Sequence, residues 1–190
     1  MAVEREAKMQ VSDHEPVIAR LTELGAQRRS YVLEVNSFYD TEDRRLLAAG
    51  EGLRIRREKS LDEGDGHKDR VTFKGPRQPG VLKTREELEI VVSDATAMEG
   101  VFERIGFSRV LRFEKRRQTY LLDGCEIALD EVPRLGKFIE IEGPSEGLVM
   151  AMREKLGLSQ TPLLTSSYVG MLSHRLNDRD PHPRNVRFEN

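Results

Sequence analysis

Acidic and basic side chains recur at every second position in several segments of this 190-residue chain. Two carboxylates separated by one residue on a strand lie roughly 6–7 Å apart, which lets them share one or two hard divalent cations. Oxygen ligands favour Mg²⁺ or Mn²⁺ over zinc, and the four histidines are too scattered to form a metal-ligand motif. Arginine pairs fit phosphate oxygens bidentately, whereas lysine acts as a point charge. This combination suits the binding of a linear triphosphate with one or two metal ions.

The candidate positions divide by the sign of their charge. The acidic ones are Glu4, Glu6, Glu87, Glu89, Asp130, Glu140 and Glu142. The basic ones are Lys8, Arg54, Arg56, Lys74, Arg85, Lys115 and Arg117. Charges of both signs tolerate burial only when they are paired, hydrogen-bonded or bound to metal.

A period of two predicts β-strands with a charged face and an apolar face. The predicted strands cover residues 2–11, 30–39, 52–58, 69–75, 84–93, 109–121, 124–132 and 136–143. Asp123-Gly124 predicts a hairpin turn between two of them. Such a sheet is either solvated across one whole face, or it curls so that the charges line an interior. In the second case the fold is α+β, an eight-stranded barrel with amphipathic helices packed on its apolar outside.

Four helices accompany these strands. Ser12 or Asp13 is the predicted N-cap of the first helix, Asp94 of the second and Ser145 of the third. A fourth helix is predicted from about Thr165 to Leu176. Residues 1–176 then form one domain, and the polar residues 177–190 form a tail that is mobile unless a partner holds it.

Composition narrows the function classes. Charged residues make up 34% of the chain but the net charge is only −2, which argues against binding a nucleic acid polymer. The single cysteine, Cys125, lies on an apolar phase and fits a reducing compartment as a buried residue. No apolar run reaches the ~20 residues that cross a bilayer, and the N-terminus carries charge from Glu4 onward. We therefore expect a soluble cytoplasmic protein that does not bind membranes.

The ordered motifs of the chain resemble those of the CYTH superfamily, also called triphosphate tunnel metalloenzymes. Glu4-Arg5-Glu6-Ala7-Lys8 matches the Glu-x-Glu-x-Lys motif of that family, and the resemblance extends to about Leu172. The other matching segments are residues 53–56, 72–76, 85–89, 115–120, 129–132, 135–142 and 167–168. Residues 74–77 and 167–172 look most like the class IV adenylate cyclase branch, although 169–172 depart from its pattern; thiamine triphosphatases are also related.

The resemblance implies an eight-stranded antiparallel tunnel with a charged interior. It implies metal ligands at Glu4, Glu6, Asp130, Glu140 and Glu142, and triphosphate contacts from Lys8, Arg54, Arg56, Lys74, Lys115 and Arg117. Among these, Glu6, Glu140 and Lys74 are the candidate catalytic residues, and either carboxylate would help to deprotonate the nucleophile. Glu87 and Glu89 would not bind the substrate directly but would orient the arginines that do. Arg85 is left out of the site.

The function favoured by this reasoning is metal-dependent cleavage of a P–O bond in a triphosphate, with Mg²⁺ or Mn²⁺. Hydrolysis of an inorganic or organic triphosphate ranks first, and class IV adenylate cyclase activity on ATP ranks second. A non-catalytic polyphosphate- or nucleotide-binding module ranks lower, because no candidate carboxylate is missing. The blander alternative is that Arg54 and Arg56 only form cross-strand salt bridges with Glu87 and Glu89. A homodimer is left open.

Overall fold

A computed structural model describes residues 2–62, 67–176 and 184–189. Nine strands occur in these ranges: β1 Ala2–Val11, β2 Gln27–Asp40, β3 Gly52–Ser60, β4 His67–Lys74, β5 Lys83–Val92, β6 Ser108–Leu122, β7 Cys125–Val132, β8 Gly136–Glu142 and β9 Arg184–Val186. Five helices accompany them: α1 Glu15–Glu23, α2 Arg45–Ala48, α3 Ala95–Arg104, α4 Glu146–Lys155 and α5 Tyr168–Arg175. The eight predicted strands are all present, and their ends differ from the prediction by a few residues.

The first eight strands close into an antiparallel barrel. They pair in the order β2-β3-β4-β5-β1-β8-β7-β6, and β6 pairs again with β2. Closure leaves no free edge in the barrel and gives every strand an inner and an outer face. The predicted α+β barrel with helices outside is therefore confirmed.

Apolar outer faces hold the helices on the barrel. Helices α1 and α4 pack on one side of the barrel, where Val17 and Leu21 of α1 and Val149 and Met152 of α4 join a cluster that includes Ile127. Phe102 of α3 packs on the outside of β2 and β3 in a separate cluster. The fifth helix lies across one end of the barrel, where Tyr168 and Leu172 join a cluster with Phe113 and Phe138.

Local sequence signals explain most element ends. Asp94 accepts hydrogen bonds from two backbone N–H groups of α3, and Ser145 accepts one from α4, as predicted. Asp123 and Gly124 both adopt positive φ, the conformation that a two-residue hairpin requires. The predicted cap of α1 is wrong, because His14 occupies the N-cap without a side-chain bond and Pro16 starts the first turn.

The C-terminal segment differs in part from the predicted mobile tail. Strand β9 runs parallel to β6, with Leu111 opposite Arg184 and Phe113 opposite Val186. Val186 is buried in the cluster beside α5, so this apolar contact explains the attachment. Residues 177–183 and 190, and loop residues 63–66, lie outside the described ranges.

None of the described helices is both long and apolar enough to span a membrane.

Candidate active site

The barrel encloses a cavity of about 1250 Å³. Inward-facing residues of the strands line it, and most of them are charged: Glu4, Glu6, Lys8, Glu34, Arg54, Arg56, Lys74, Lys83, Arg85, Glu87, Glu89, Lys115, Arg117, Glu126, Glu140 and Glu142. Every predicted site residue except Asp130 is in this set. Asp130 lies directly behind the wall and is bonded to two of its members. The structure thus brings all the predicted residues together.

Asp130 is the most enclosed acid of the site, with no exposed surface. Its carboxylate accepts hydrogen bonds from the Lys115 ammonium at 3.1 Å, from the Arg117 guanidinium at 2.7 and 2.6 Å, and from the Tyr168 hydroxyl at 2.8 Å. These donors occupy both carboxylate oxygens. These contacts hold Lys115 and Arg117 in place, and metal coordination by Asp130 stays a prediction.

Lys8 and Arg117 both form ion pairs with Glu140 of β8. The Lys8 ammonium lies 2.8 Å from Glu140 and 3.4 Å from Glu6, and it also sits 3.9 Å above the Tyr168 ring. Burial alone would lower the pKa of Lys8, but the carboxylates of Glu140 and Glu6 outweigh it and raise that pKa. Burial would likewise raise the pKa of Glu140, yet Lys8 and Arg117 hold it well below its ordinary value. Both groups are charged at neutral pH.

Glu34 completes the buried network, although the sequence argument did not single it out. It is 1% exposed and lies 2.9 Å from Arg56 and 3.1 Å from Lys115. Burial opposes its charged form, but the positive charges of Arg56 and Lys115 lower the pKa of Glu34. Asn36 accepts a 2.9 Å bond from Arg56, so β2 holds that guanidinium from two positions.

Arg54 of β3, Lys74 of β4 and Arg85 of β5 lie side by side in the cavity, and we call them the basic wall. Arg54 donates to Thr72 at 2.9 Å and lies 3.6 Å from Glu89, while its buried Nε atom has no hydrogen-bond partner. Desolvation and the charge of Arg56 lower the pKa of Arg54 to about 9. Lys74 contacts Glu87 and lies 3.6 Å from Glu4.

Desolvation and the positive charge of Arg54 lower the pKa of Lys74 to about 7. The effect of Arg85 has the same sign, and together these influences exceed the opposite effects of Glu4 and Glu87. Burial opposes ionisation of Glu87 as well, but contacts with Glu4 and Lys74 lower its pKa to about 2. The wall therefore carries more positive charge than its own acids neutralise.

Glu6 of β1, Glu142 of β8 and Glu126 of β7 lie side by side on the opposite wall, and we call them the acidic row. Glu142 of β8 lies directly opposite Glu6 of β1 on one side and Glu126 of β7 on the other. Partial desolvation, followed by the negative charges of Glu4 and Glu126, raises the pKa of Glu142 to about 7. Like charges in directly opposed pairs destabilise a sheet, so a cation at this row would relieve the repulsion.

The acidic row offers the oxygen donors that Mg²⁺ or Mn²⁺ prefers. Within residues 2–62, 67–176 and 184–189, however, no three acidic, histidine or cysteine side chains already converge as a metal cluster. Glu6 is engaged by the Lys83 ammonium at 3.0 Å, and Glu4 by Arg85 at 3.1 Å. The donor set fits a hard divalent ion, provided that Glu4 and Glu6 exchange these partners for it.

The sequence argument missed several members of the site. Lys83, Arg85, Glu34 and Glu126 line the cavity, and Tyr168 closes it from α5. Arg85 was a candidate position that the prediction left out of the site, and Lys83 shares the phase of Arg85 and Glu87, so alternation along β5 could have indicated it. Glu126 was hidden, because only the pairing of β7 with β8 places it beside Glu142. Cys125 is buried, as predicted, and Tyr39 and Tyr120 are buried too.

Comparisons with known proteins agree with this geometry. The CYTH domain model matches residues 2–161. A candidate adenylate cyclase of Methanocaldococcus jannaschii, MJ0240, is 29% identical over 176 residues, which cover 88% of this chain and 97% of that protein. The structure of PH1819 from Pyrococcus horikoshii superimposes with a TM-score of 0.78 at 26% identity, covering 91% of this chain and 99% of the other.

A Hippeastrum protein described as a candidate adenylyl cyclase with a dominant triphosphatase activity shares the fold. Its TM-score is 0.63 at 18% identity, over 92% of this chain and 95% of that one. The family model covers most of the chain, including every predicted site residue from Glu4 to Glu142. This protein therefore belongs to the CYTH domain family.

Proposed function

We propose that the tunnel binds a triphosphate together with a divalent metal ion and cleaves one P–O bond, with hydrolysis as the favoured reaction. The carrying observation is the opposite electrostatic imbalance of the two walls. Desolvation, followed by the positive charge of Arg54, lowers the pKa of Lys74 to about 7, whereas partial desolvation, followed by the negative charges of Glu4 and Glu126, raises the pKa of Glu142 to about 7. An anion bound against the basic wall and a cation bound at the acidic row would correct both imbalances.

The triphosphate would contact the basic members of the cavity. On the basic wall, Arg54 has a buried Nε atom without a partner and burial lowers the pKa of Lys74, so both residues would gain from contact with phosphate oxygens. Arg56, Lys115, Arg117 and Lys8 reach the same cavity from the buried network. Their acidic partners fix their positions in advance, which lowers the reorganisation that substrate binding requires. Glu87 and Glu89 serve this purpose on β5, because they contact Lys74 and Arg54 respectively.

The family acts generally with a metal ion, and Glu4, Glu6 and Glu142 are the best-placed ligands here. Bound Mg²⁺ or Mn²⁺ would neutralise phosphate oxygens and orient the nucleophile. Glu140 adjoins this group through Lys8, which contacts both Glu140 and Glu6. Asp130 is proposed as a positioning residue in preference to a ligand, since its oxygens already hold Lys115, Arg117 and Tyr168.

The chain's own groups account for the remaining steps. Glu6 would accept the proton of the attacking oxygen, because its carboxylate faces the cavity. Glu140 also faces the cavity, but Lys8 and Arg117 hold its pKa well below the ordinary value, which makes it the weaker base of the two predicted carboxylates. Lys74 and Arg54 would stabilise negative charge on the departing phosphate group. In hydrolysis the attacking oxygen belongs to water and bonds to the terminal phosphorus, releasing orthophosphate and a diphosphate.

The dimensions of the cavity favour an organic group on the triphosphate. Its volume of about 1250 Å³ leaves space beyond a linear triphosphate, and Phe38 and Phe113 line part of it with rings stacked at 5.9 Å. An aromatic base could stack there. Adenylate cyclase activity is therefore the second candidate, and the name of the M. jannaschii relative points the same way. In that reaction the ribose 3′-hydroxyl attacks the α-phosphorus, releasing pyrophosphate and cyclic AMP.

Product analysis distinguishes these alternatives. The purified protein is incubated with tripolyphosphate and with ATP, each with Mg²⁺ or Mn²⁺. Orthophosphate from either substrate supports hydrolysis, cyclic AMP supports the cyclase, and tight binding without turnover supports the binding module. Glu4→Gln and Glu142→Gln should abolish turnover with little effect on folding, whereas Glu131→Gln on the outside of β7 serves as the matched control. Unchanged rates in both tunnel variants would refute the metal assignment.

A further inference from the structure

Four arginines cluster on the outside of the barrel, away from the tunnel. Arg57 projects outward from β3, Arg109 and Arg112 lie on β6, and Arg187 follows β9 directly. We call these four residues the outer arginine patch. The strand register explains the cluster, because Arg109 pairs with Tyr39, Arg112 pairs with Ser37, and Asn185 of β9 lies opposite Arg112. Tyr39 packs against Phe102 of α3, which places this face outside the barrel wall.

Among the described residues, the acids that act on the outer arginine patch are Glu99 and Asp69, which lies opposite Arg57 in the pairing of β3 with β4, so its four arginines outnumber these acids. Glu99 is bonded to Arg57 at 2.7 Å, and among the residues that the structure describes Arg187 contacts the neutral amide of Asn185. Within the described part of the chain, Arg109 and Arg112 have neither a hydrogen bond nor an ion pair, and the Nε atoms of both are buried without a partner. Unpaired buried donors of this kind are costly and uncommon in folded proteins.

Two further observations favour anion binding at this patch. Desolvation, followed by the positive charges of Arg187 and Arg109, lowers the pKa of Arg112. The Ser37 hydroxyl, opposite Arg112, is fully buried and also has no partner among the described residues. A bound anion with several oxygens would engage the guanidinium groups and neutralise their mutual repulsion.

We infer that the outer arginine patch is a binding site for a small phosphoryl oxyanion, separate from the tunnel. Orthophosphate, pyrophosphate and the phosphate group of a nucleotide share the required chemistry, because each presents two or more charged oxygens to a guanidinium group. The site is independent of the proposed function, because its residues lie on the opposite side of the barrel wall from Lys74 and Glu142.

The test follows the side chains directly by NMR. The Nε–H signals of Arg109 and Arg112 are recorded in ¹⁵N-labelled protein, without metal, while orthophosphate, pyrophosphate or AMP is added at constant ionic strength. We expect both signals to shift saturably with at least one of these three anions and not with KCl. Shifts with AMP but not with free phosphates would identify a phosphate ester as the ligand, and the reverse would identify the free anion.

Variants separate this site from the tunnel. Calorimetry with pyrophosphate should find two bound anions in the wild type and one in Arg109→Ala/Arg112→Ala. The matched control Arg20→Ala/Arg28→Ala removes two partly exposed arginines elsewhere and should retain both. Lys74→Ala, which weakens the tunnel, should leave the Arg112 signal shift intact.

Either of two results would overturn the assignment. The first is an absence of saturable shifts at Arg109 and Arg112 with all three anions. The second is loss of those shifts in Lys74→Ala, since the patch would then report only on the tunnel. Melting curves and Arg112→Lys check that the double variant is folded and that charge alone is not sufficient. We expect Arg112→Lys to bind more weakly than wild type, because lysine lacks the bidentate geometry.

Discussion

Lys74 should take up a proton when the tunnel binds a triphosphate. Its ammonium is buried and close to Arg54, which lowers its pKa to about 7. At pH 8 such a group is only about one-tenth protonated. A polyanion beside it restores the charged form, so binding should draw up to about 0.9 proton per triphosphate at this site.

The same linkage sets the pH dependence of affinity. Each pH unit above the pKa adds about 1.4 kcal/mol to the free energy of protonating Lys74. The affinity for tripolyphosphate should therefore fall by up to about tenfold per unit above pH 7, beyond the contribution of the ligand's own protons. Below pH 7 the lysine is already charged, and its contribution to the pH dependence disappears.

Calorimetry in buffers of different ionisation enthalpy measures this uptake in metal-free protein. Lys74→Arg is the matched variant, since a guanidinium stays protonated across the range and the ligand's own protons contribute equally to both proteins. We expect the wild type to take up more protons than Lys74→Arg at pH 8 and the difference to vanish near pH 6. Equal uptake by the two proteins at pH 8 would refute the argument that Arg54 and burial discharge Lys74.

Three further variants test the acidic row and the buried network. In metal-free protein, Glu142 has a native pKa near 7 against an ordinary 4.5, so the native state holds the extra proton and stability should fall as pH rises between these values. Glu142→Gln should flatten that decline in urea unfolding, and an equally steep decline would contradict the assignment. Asp130→Asn leaves Lys115 and Arg117 buried with weaker partners, and we expect a loss of about 3–5 kcal/mol in the free energy of unfolding. Tyr168→Phe removes only the bond to the Asp130 carboxylate, so the loss should be about 1.5–3 kcal/mol, and a loss larger than that of Asp130→Asn would show that the hydroxyl does more than donate to that carboxylate.

The sequence by itself determined the strands and the sign of charge on their faces. The alternation of Arg54 and Arg56 with Leu53 and Ile55 predicts a strand with one charged face and one apolar face, because successive side chains of a strand point to opposite faces. The Asp123-Gly124 turn was equally local, since its positive φ angles follow from the residues themselves. Signals of this kind involve neighbours along the chain and need no knowledge of the fold.

The tertiary structure alone decided which charges meet. Closure of β6 onto β2 brings Glu34 to Lys115 across 81 positions of sequence, and the pairing of β7, β8 and β1 aligns Glu126, Glu142 and Glu6. It also buried Lys74 near Arg54 on the basic wall and placed Glu142 near Glu4 and Glu126 at the acidic row, and desolvation together with these like charges shifts the two pKa values in opposite directions. Charge interactions depend on distance in space and on burial, and strand register sets both; a single strand read alone contains neither.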